Sequence, residues 1–187
     1  MSGPGIEPIV GRKVAWLARV DGIVRFAPLY ERKLSEPYGP VADAVCEGGL
    51  QHIAPNTECG CGFHAVSSRE DLWRFSPAAG VITLDVELAG RVVEHEHGWR
   101  AEHQIVLGAH LPARCPRCGR PVVGVATRGP HGAPERNVDW TMLYPVCRRC
   151  GRRRVIPVAT LAGALRVEVS IDLIGPPVAI SPPSNSI

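Results

Sequence analysis

The chain has 187 residues, 45% hydrophobic and 21% charged, with a net charge of +3, an ordinary balance for a folded globular protein. No apolar run approaches the ~20 residues that a membrane-spanning helix needs, which argues against a helical membrane protein. The first residues, MSGPGIEPIVGRK, lack the charged-then-apolar order of a secretory signal, so a cytoplasmic location is expected. Seven cysteines in a reducing compartment point to metal ligation or reactivity rather than disulfides, and an odd count fits a closed disulfide framework poorly.

In chain order, residues 1–12 are rich in Gly and Pro and are expected to be loose. Residues 14–29 read as two short strands around Asp21-Gly22. Residues 30–62 carry Pro37, Pro40, Pro55, Gly39, Gly48 and Gly49 and are expected to be irregular, with a helical turn near Pro40–Val45. A loop of that length needs a functional reason or a staple. Ser67-Ser68-Arg69-Glu70 reads as a capping box, Ser67 with Glu70, ahead of a short helix that Ser76-Pro77 ends. Leu72, Trp73 and Phe75 would supply its apolar contacts.

VITLDVEL, residues 81–88, alternates cleanly, so Ile82, Leu84, Val86 and Leu88 face one way. Gly90 marks a bulge, and the strand turns at His97-Gly98 and returns through Leu107. Trp99, Ala101, His103, Ile105 and Leu107 then share one face and Arg100, Glu102 and Gln104 the other. Val155–Leu161 suits a strand or a short helix, and Leu165–Leu173 alternates like a strand. The tail GPPVAISPPSNSI has little to bury and is expected to be disordered.

The fold expected from these elements is α+β and strand-dominated: an antiparallel sheet body with one short capped helix and a zinc-ribbon insertion. Its domains are a loose N-terminus over 1–12, the body over 13–111, the ribbon over 112–156, return strands over 157–174 and a disordered tail over 175–187.

The strongest motif is a pair of CxxCG knuckles, Cys115-Pro-Arg-Cys118-Gly119 and Cys147-Arg-Arg-Cys150-Gly151, with 28 residues between the inner cysteines. Each knuckle turns two thiolates toward one ion, and the glycine relieves the backbone where it turns. Four sulfurs in a tetrahedron suit a structural Zn2+ with no open position. A second group, Cys46, His52, Cys59 and Cys61, offers three thiolates and an imidazole within 16 residues, with His64 as a possible substitute. It matches no standard spacing, and its Cys-x-Cys needs a tight bend at Gly60. One Zn2+ is therefore expected and a second is possible; the competing reading leaves Cys46 buried and Cys59 and Cys61 as free thiols. His95, His97 and His103 can bind metal near the hairpin turn, or stand as exposed strand-end residues.

Charge is uneven. Residues 112–157 hold ten arginines against Glu135 and Asp139, a net +8, which leaves −5 for the rest. Arg148, Arg149, Arg152, Arg153 and Arg154 crowd the second knuckle and suit phosphate or acidic partners, against the plain reading of a solvated basic surface. Trp140 and Tyr144 are able to stack on bases or, more simply, to fill the ribbon's thin core. Only Lys13 and Lys33 stand against nineteen arginines, a bias expected of a GC-rich actinobacterial or phage genome.

Residues 112–156 resemble a zinc ribbon. CGCGFHA, followed by a capped helix and by VITLDVELAGRVVEHEHGWRAE, resembles an uncharacterised family of small actinobacterial proteins with a Cys-x-Cys-Gly-x-His/Tyr-Ala turn. That likeness covers about residues 35–110 and implies a recurrent domain without a mechanism. GFHAVSSREDLWRF ahead of LDVEL is also similar to the strand–helix–strand order of ADP-ribosyltransferases, which implies Glu102 as the catalytic candidate, with Arg19 and Tyr38 as partners. The leading expectation is a non-catalytic zinc-binding module whose ribbon docks on nucleic acid or an acidic protein, with no membrane. The alternative is such an enzyme, acting on a nucleotide.

Overall fold

The computed structural model describes residues 8–29, 36–46, 52–75, 80–127 and 140–172, without the side chains of residues 73–75 and 153. The expected tail from 175, the first seven residues, the Ser76-Pro77 stop and the Trp73 and Phe75 contacts lie outside these residues. The elements are β1 (Ile9–Val20), β2 (Ile23–Ala27), β3 (Val41–Asp43), β4 (Phe63–Val66), α1 (Arg69–Phe75), β5 (Ile82–His95) and β6 (Gly98–Pro112). After them come β7 (Gly124–Ala126), β8 (Thr141–Val146), α2 (Arg148–Gly151), β9 (Ile156–Pro157), α3 (Val158–Leu165) and β10 (Glu168–Asp172). Strands dominate, and the described pairings are antiparallel except for β10 beside β6. None of the described helices is long and apolar enough to cross a membrane.

Four pairings close on themselves: β1 with β5, β5 with β6, β6 with β4, and β4 with β1 through Arg12 opposite Val66. The ring closes where the chain has no side chains to spare. A Cβ on Gly98 would stand 2.1 Å from the Ala65 carbonyl oxygen, and one on Gly11 would stand 3.0 Å from the Ala65 Cβ. The second half of β1 leaves the ring and runs between β2 and β8, so the ribbon strands hang from the same strand as the body. One core joins them. Leu84, Val86, Ala101 and Leu111 cluster with Val125, Leu143, Cys115 and Cys147.

The β1–β2 hairpin turns at Asp21-Gly22 as expected, although β1 begins at Ile9, five residues early. Residues 41–43 form a strand and not a helical turn. Its backbone is taken up by β6, with Val106 N–H donating to Pro40 O at 2.7 Å and Ala44 N–H to Glu102 O at 2.7 Å. The helix cap is shifted by one residue. Asp71 N–H donates to Ser68 Oγ at 3.0 Å and the Ser68 hydroxyl to Asp71 Oδ2 at 2.7 Å, while Ser67 N–H is tied to His97 O. Either serine has an acid three residues on, so the neighbouring strand turn decides between them.

Gly90 sits at the expected bulge, where the register slips between Ala89 and Val92. The alternation of β6 is the main departure. Ala101 is buried, but Ile105 and Leu107 are 37% and 45% exposed, and Gln104 is wholly buried. The inward place goes to Gln104 because a lysine points into the ring. Lys13 shares the inward face of β1 with Ala15 and Leu17, donates from Nζ to Gln104 Oε1 at 3.0 Å, and lies 4.9 and 5.3 Å from the Phe63 and Tyr38 ring centroids. No carboxylate pairs with it among the described residues. Burial therefore pushes its amine down from 10.5 to about 7.

Two outcomes follow from this packing. Gly98→Ala forces β4 off β6 and lowers stability by about 1–3 kcal/mol, read from the urea midpoint. Lys13 is neutral in the fold above pH ~7 but stays protonated in the unfolded chain up to ~10.5, so its penalty is full below ~7 and fades as pH rises through that window. Lys13→Met accordingly unfolds at higher urea than the wild type at pH 6–7, and the gap narrows toward pH 10.

Candidate metal centres

The first knuckle is a tight turn on the end of β6. Cys118 N–H and Gly119 N–H both donate to Cys115 O, at 3.2 and 2.9 Å. Gly119 takes φ +69°, as a glycine in that turn should. The second knuckle is built differently: Gly151 N–H donates to Cys147 O at 3.0 Å, and the left-handed position passes to Arg152, at φ 53°. Gly151 is needed for space, because a Cβ there would stand 2.3 Å from Val155 Cγ2. The two glycines of one motif thus answer different constraints.

These turns bring Cys115, Cys118, Cys147 and Cys150 together with all four sulfurs within 4.8 Å of one another. Cys118 Sγ lies 3.4 Å from Cys147 Sγ and 3.5 Å from Cys150 Sγ. A tetrahedral ion with ~2.3 Å bonds to sulfur sets its sulfurs about 3.8 Å apart, so the cage has the size a metal requires, far wider than a disulfide. Its electrostatics also call for a cation. Backbone N–H donation, from Cys150 foremost, draws the Cys147 thiol down to about 7, while burial pushes Cys150 up to about 12. Four thiols this close cannot all ionise on their own, and a divalent ion removes the conflict.

The weaker sequence motif also assembles. Cys46, His52, Cys59 and Cys61 place their donor atoms within 4.8 Å of one another. Cys46 Sγ lies 3.8 Å from Cys59 Sγ, and His52 Nε2 lies 3.2 Å from Cys61 Sγ. His64 is not in this group; its Nε2 faces Gly60 O at 3.0 Å. The positive φ that the Cys-x-Cys turn needs falls at Gly62, +115°, and not at Gly60. The backbone N–H of Cys61 foremost lowers the Cys59 thiol, and burial raises that of Cys61. Both groups can hold a metal ion, with four donors each.

No sequence pattern singles out the residue that shapes this turn. Arg100 alternates like a surface residue, yet it is 5% exposed. Its Nη1 donates to the carbonyls of Asn56, Cys59 and Cys61, at 3.2 Å to Asn56 and 3.1 Å to Cys61. Its Nε donates to His95 Nε2 at 2.6 Å. One guanidinium nitrogen thus gathers the carbonyls around the Cys-x-Cys turn, while the bond from Nε to His95 fixes the plane of the group.

The remaining candidates are placed apart. His95 serves Arg100, His97 Nδ1 lies 3.5 Å from Asp71, and His103 Nδ1 lies 2.7 Å from Asp43. Glu102 accepts the Arg91 N–H at 3.0 Å, beside the Gly90 bulge. Arg19 lies in β1 and Tyr38 against Phe26 and Phe63. Trp140 and Tyr144 are buried, 9% and 2% exposed, with Tyr144 edge-on to Trp16 at 5.9 Å. Arg148, Arg149, Arg152 and Arg154 are exposed, as are Arg114, Arg117 and Arg120 of the first knuckle. None of the seven pairs with a described acid. Comparison of the chain with protein-family models, curated proteins and solved structures returns no match.

Arg100→Lys keeps the charge but loses the second donor, Nε, that ties the group to His95 and aims Nη1 at the carbonyls. It lowers metal affinity at Cys46, His52, Cys59 and Cys61 by about 10–100-fold and leaves the other group unchanged, as read by competition with a graded chelator.

Proposed function

We propose that the chain is a two-zinc structural module whose basic ribbon face docks on a polyanion, a nucleic-acid backbone or an acidic protein surface. The observation that carries the zinc reading is the convergence of two complete four-donor groups, one of four thiols and one of three thiols with an imidazole. Thiolate and imidazole donors select zinc over calcium or magnesium, and four protein donors leave no open position. Both centres are therefore structural. Such thiols stay available for metal in a reducing, cytoplasmic compartment.

The docking reading rests on the exposed arginines of both knuckles around one centre. With Trp140 and Tyr144 inside the core, the face offers charge and few rings, which favours contacts to phosphates over reading of bases.

Elemental analysis yields two zinc per chain, falling to one in Cys59→Ser/Cys61→Ser; one zinc in both proteins overturns the second centre. Binding to a labelled oligonucleotide falls about a thousandfold between 50 and 200 mM salt if roughly six phosphates are neutralised. Arg148→Ala/Arg149→Ala/Arg152→Ala reduces that salt slope with zinc content intact. A chain that binds neither an oligonucleotide nor polyglutamate at 50 mM salt overturns the docking reading.

A further inference from the structure

Inside the ring, around Lys13, hydrogen-bond donors outnumber acceptors. Gln104 Oε1 accepts from Lys13 Nζ at 3.0 Å. On the same amide, Gln104 Nε2 is closed off from solvent and has no hydrogen-bond partner among the described residues. The hydroxyl of Tyr38 is in the same condition. The Phe63 and Tyr38 rings, edge-on with centroids 5.6 Å apart, both stand beside the amine, at 4.9 and 5.3 Å. Two buried donors without acceptors are costly, and here they lie around one lysine.

The electrostatics of the place suit a negative charge. Burial pushes the Tyr38 phenol up to about 12, against the smaller pull of the Gln104 amide, so it stays neutral and keeps its proton to donate. His64, the titratable neighbour on β4, is lowered by burial first and then by the like charges of Lys13 and Arg100. The amine itself, drawn down to about 7, is in good part unprotonated near neutrality and carries a free lone pair. Lys13 also keeps part of its surface in contact with solvent, which gives a small neutral reagent a way in along its side chain.

We propose that Lys13 is a carbon dioxide acceptor, forming a carbamate whose two oxygens take the free donors of Tyr38 and Gln104. The lone pair of Nζ bonds to the carbon of carbon dioxide, and one C=O electron pair moves onto oxygen. Nζ then gives one proton to water, which leaves a carbamate of single negative charge and a free proton. The reaction is reversible and consumes no oxidant or reductant. Other small ligands meet fewer of these features. An imine from an aldehyde brings no oxygen for the two donors. A free inorganic anion needs the protonated amine, the form that burial disfavours here. The carbamate needs the neutral amine and supplies one acceptor to each orphaned donor.

The test incubates the full chain with carbon-13 bicarbonate at mildly alkaline pH, traps carbamates by ethylation with a trialkyloxonium salt, and locates the label by peptide mass spectrometry. The isotopic adduct falls on Lys13, and the only other lysine, Lys33, serves as an internal control. The thermal midpoint rises with bicarbonate in the wild type and not in Lys13→Met. Tyr38→Phe removes a hydroxyl that has no partner, so without bicarbonate its midpoint is no lower than that of the wild type. The same variant raises the bicarbonate concentration for half-labelling about tenfold, the effect of one lost hydrogen bond to a charged group. Absence of the adduct on Lys13 in the wild type, or equal labelling of Lys33, overturns the proposal. So does a bicarbonate-dependent midpoint without an adduct, which marks a free anion, or undiminished labelling of Tyr38→Phe.

Discussion

Four strands take their pairing from β1, two along each half of it, and the rest of the structure depends on that. Its first half pairs with β5 and meets β4, closing the ring; its second half lies between β2 and β8. A strand with neighbours on both edges must satisfy its backbone within the protein and has little room for side chains at close crossings. Gly11 meets that demand against Ala65. The same sharing makes the ribbon part of one core with the body, so Cys115 and Cys147 are buried against residues of the ring instead of in an appendage.

The metal groups stand where regular pairing runs out. Cys46 follows the three-residue β3, and Cys59 and Cys61 precede the four-residue β4. Strands that short bring few backbone hydrogen bonds to hold the turns between them. Arg100 supplies part of the restraint by collecting three carbonyls, and a metal on the four donors would supply much of the remainder. At the other centre, two turns of unlike backbone geometry reach one tetrahedral arrangement, one through a left-handed glycine and the other through a glycine pressed against Val146 and Val155.

The interior accommodates one costly group. Lys13 has an amide acceptor and two ring faces but no described carboxylate, so its burial costs stability through the lost charge above pH ~7 and the buried charge below it. Its demand for an acceptor turns Gln104 inward, and Ile105 faces out beside Val41. Among the described residues, polar groups gather at the arginine-rich knuckles, around Arg100 beside the Cys-x-Cys turn, and at the lysine inside the ring.

The sequence by itself determined the elements whose signals are local. Alternation over residues 81–88 marks β5, Asp21-Gly22 marks a hairpin, Gly90 a bulge, and two CxxCG spacings mark a four-sulfur cage, because two thiols three residues apart converge in any such turn. It also established that Cys46, His52, Cys59 and Cys61 were able to meet, but not that they do. That depends on β3 and β4 lying end to end along one edge of β6, which only pairing in space decides. The choice of Ser68 over Ser67 as the cap, the inward turn of Gln104 and the burial of Arg100 are likewise tertiary. Each depends on contacts between residues far apart in the chain, and no pattern within a single strand or turn records which strand will lie beside it.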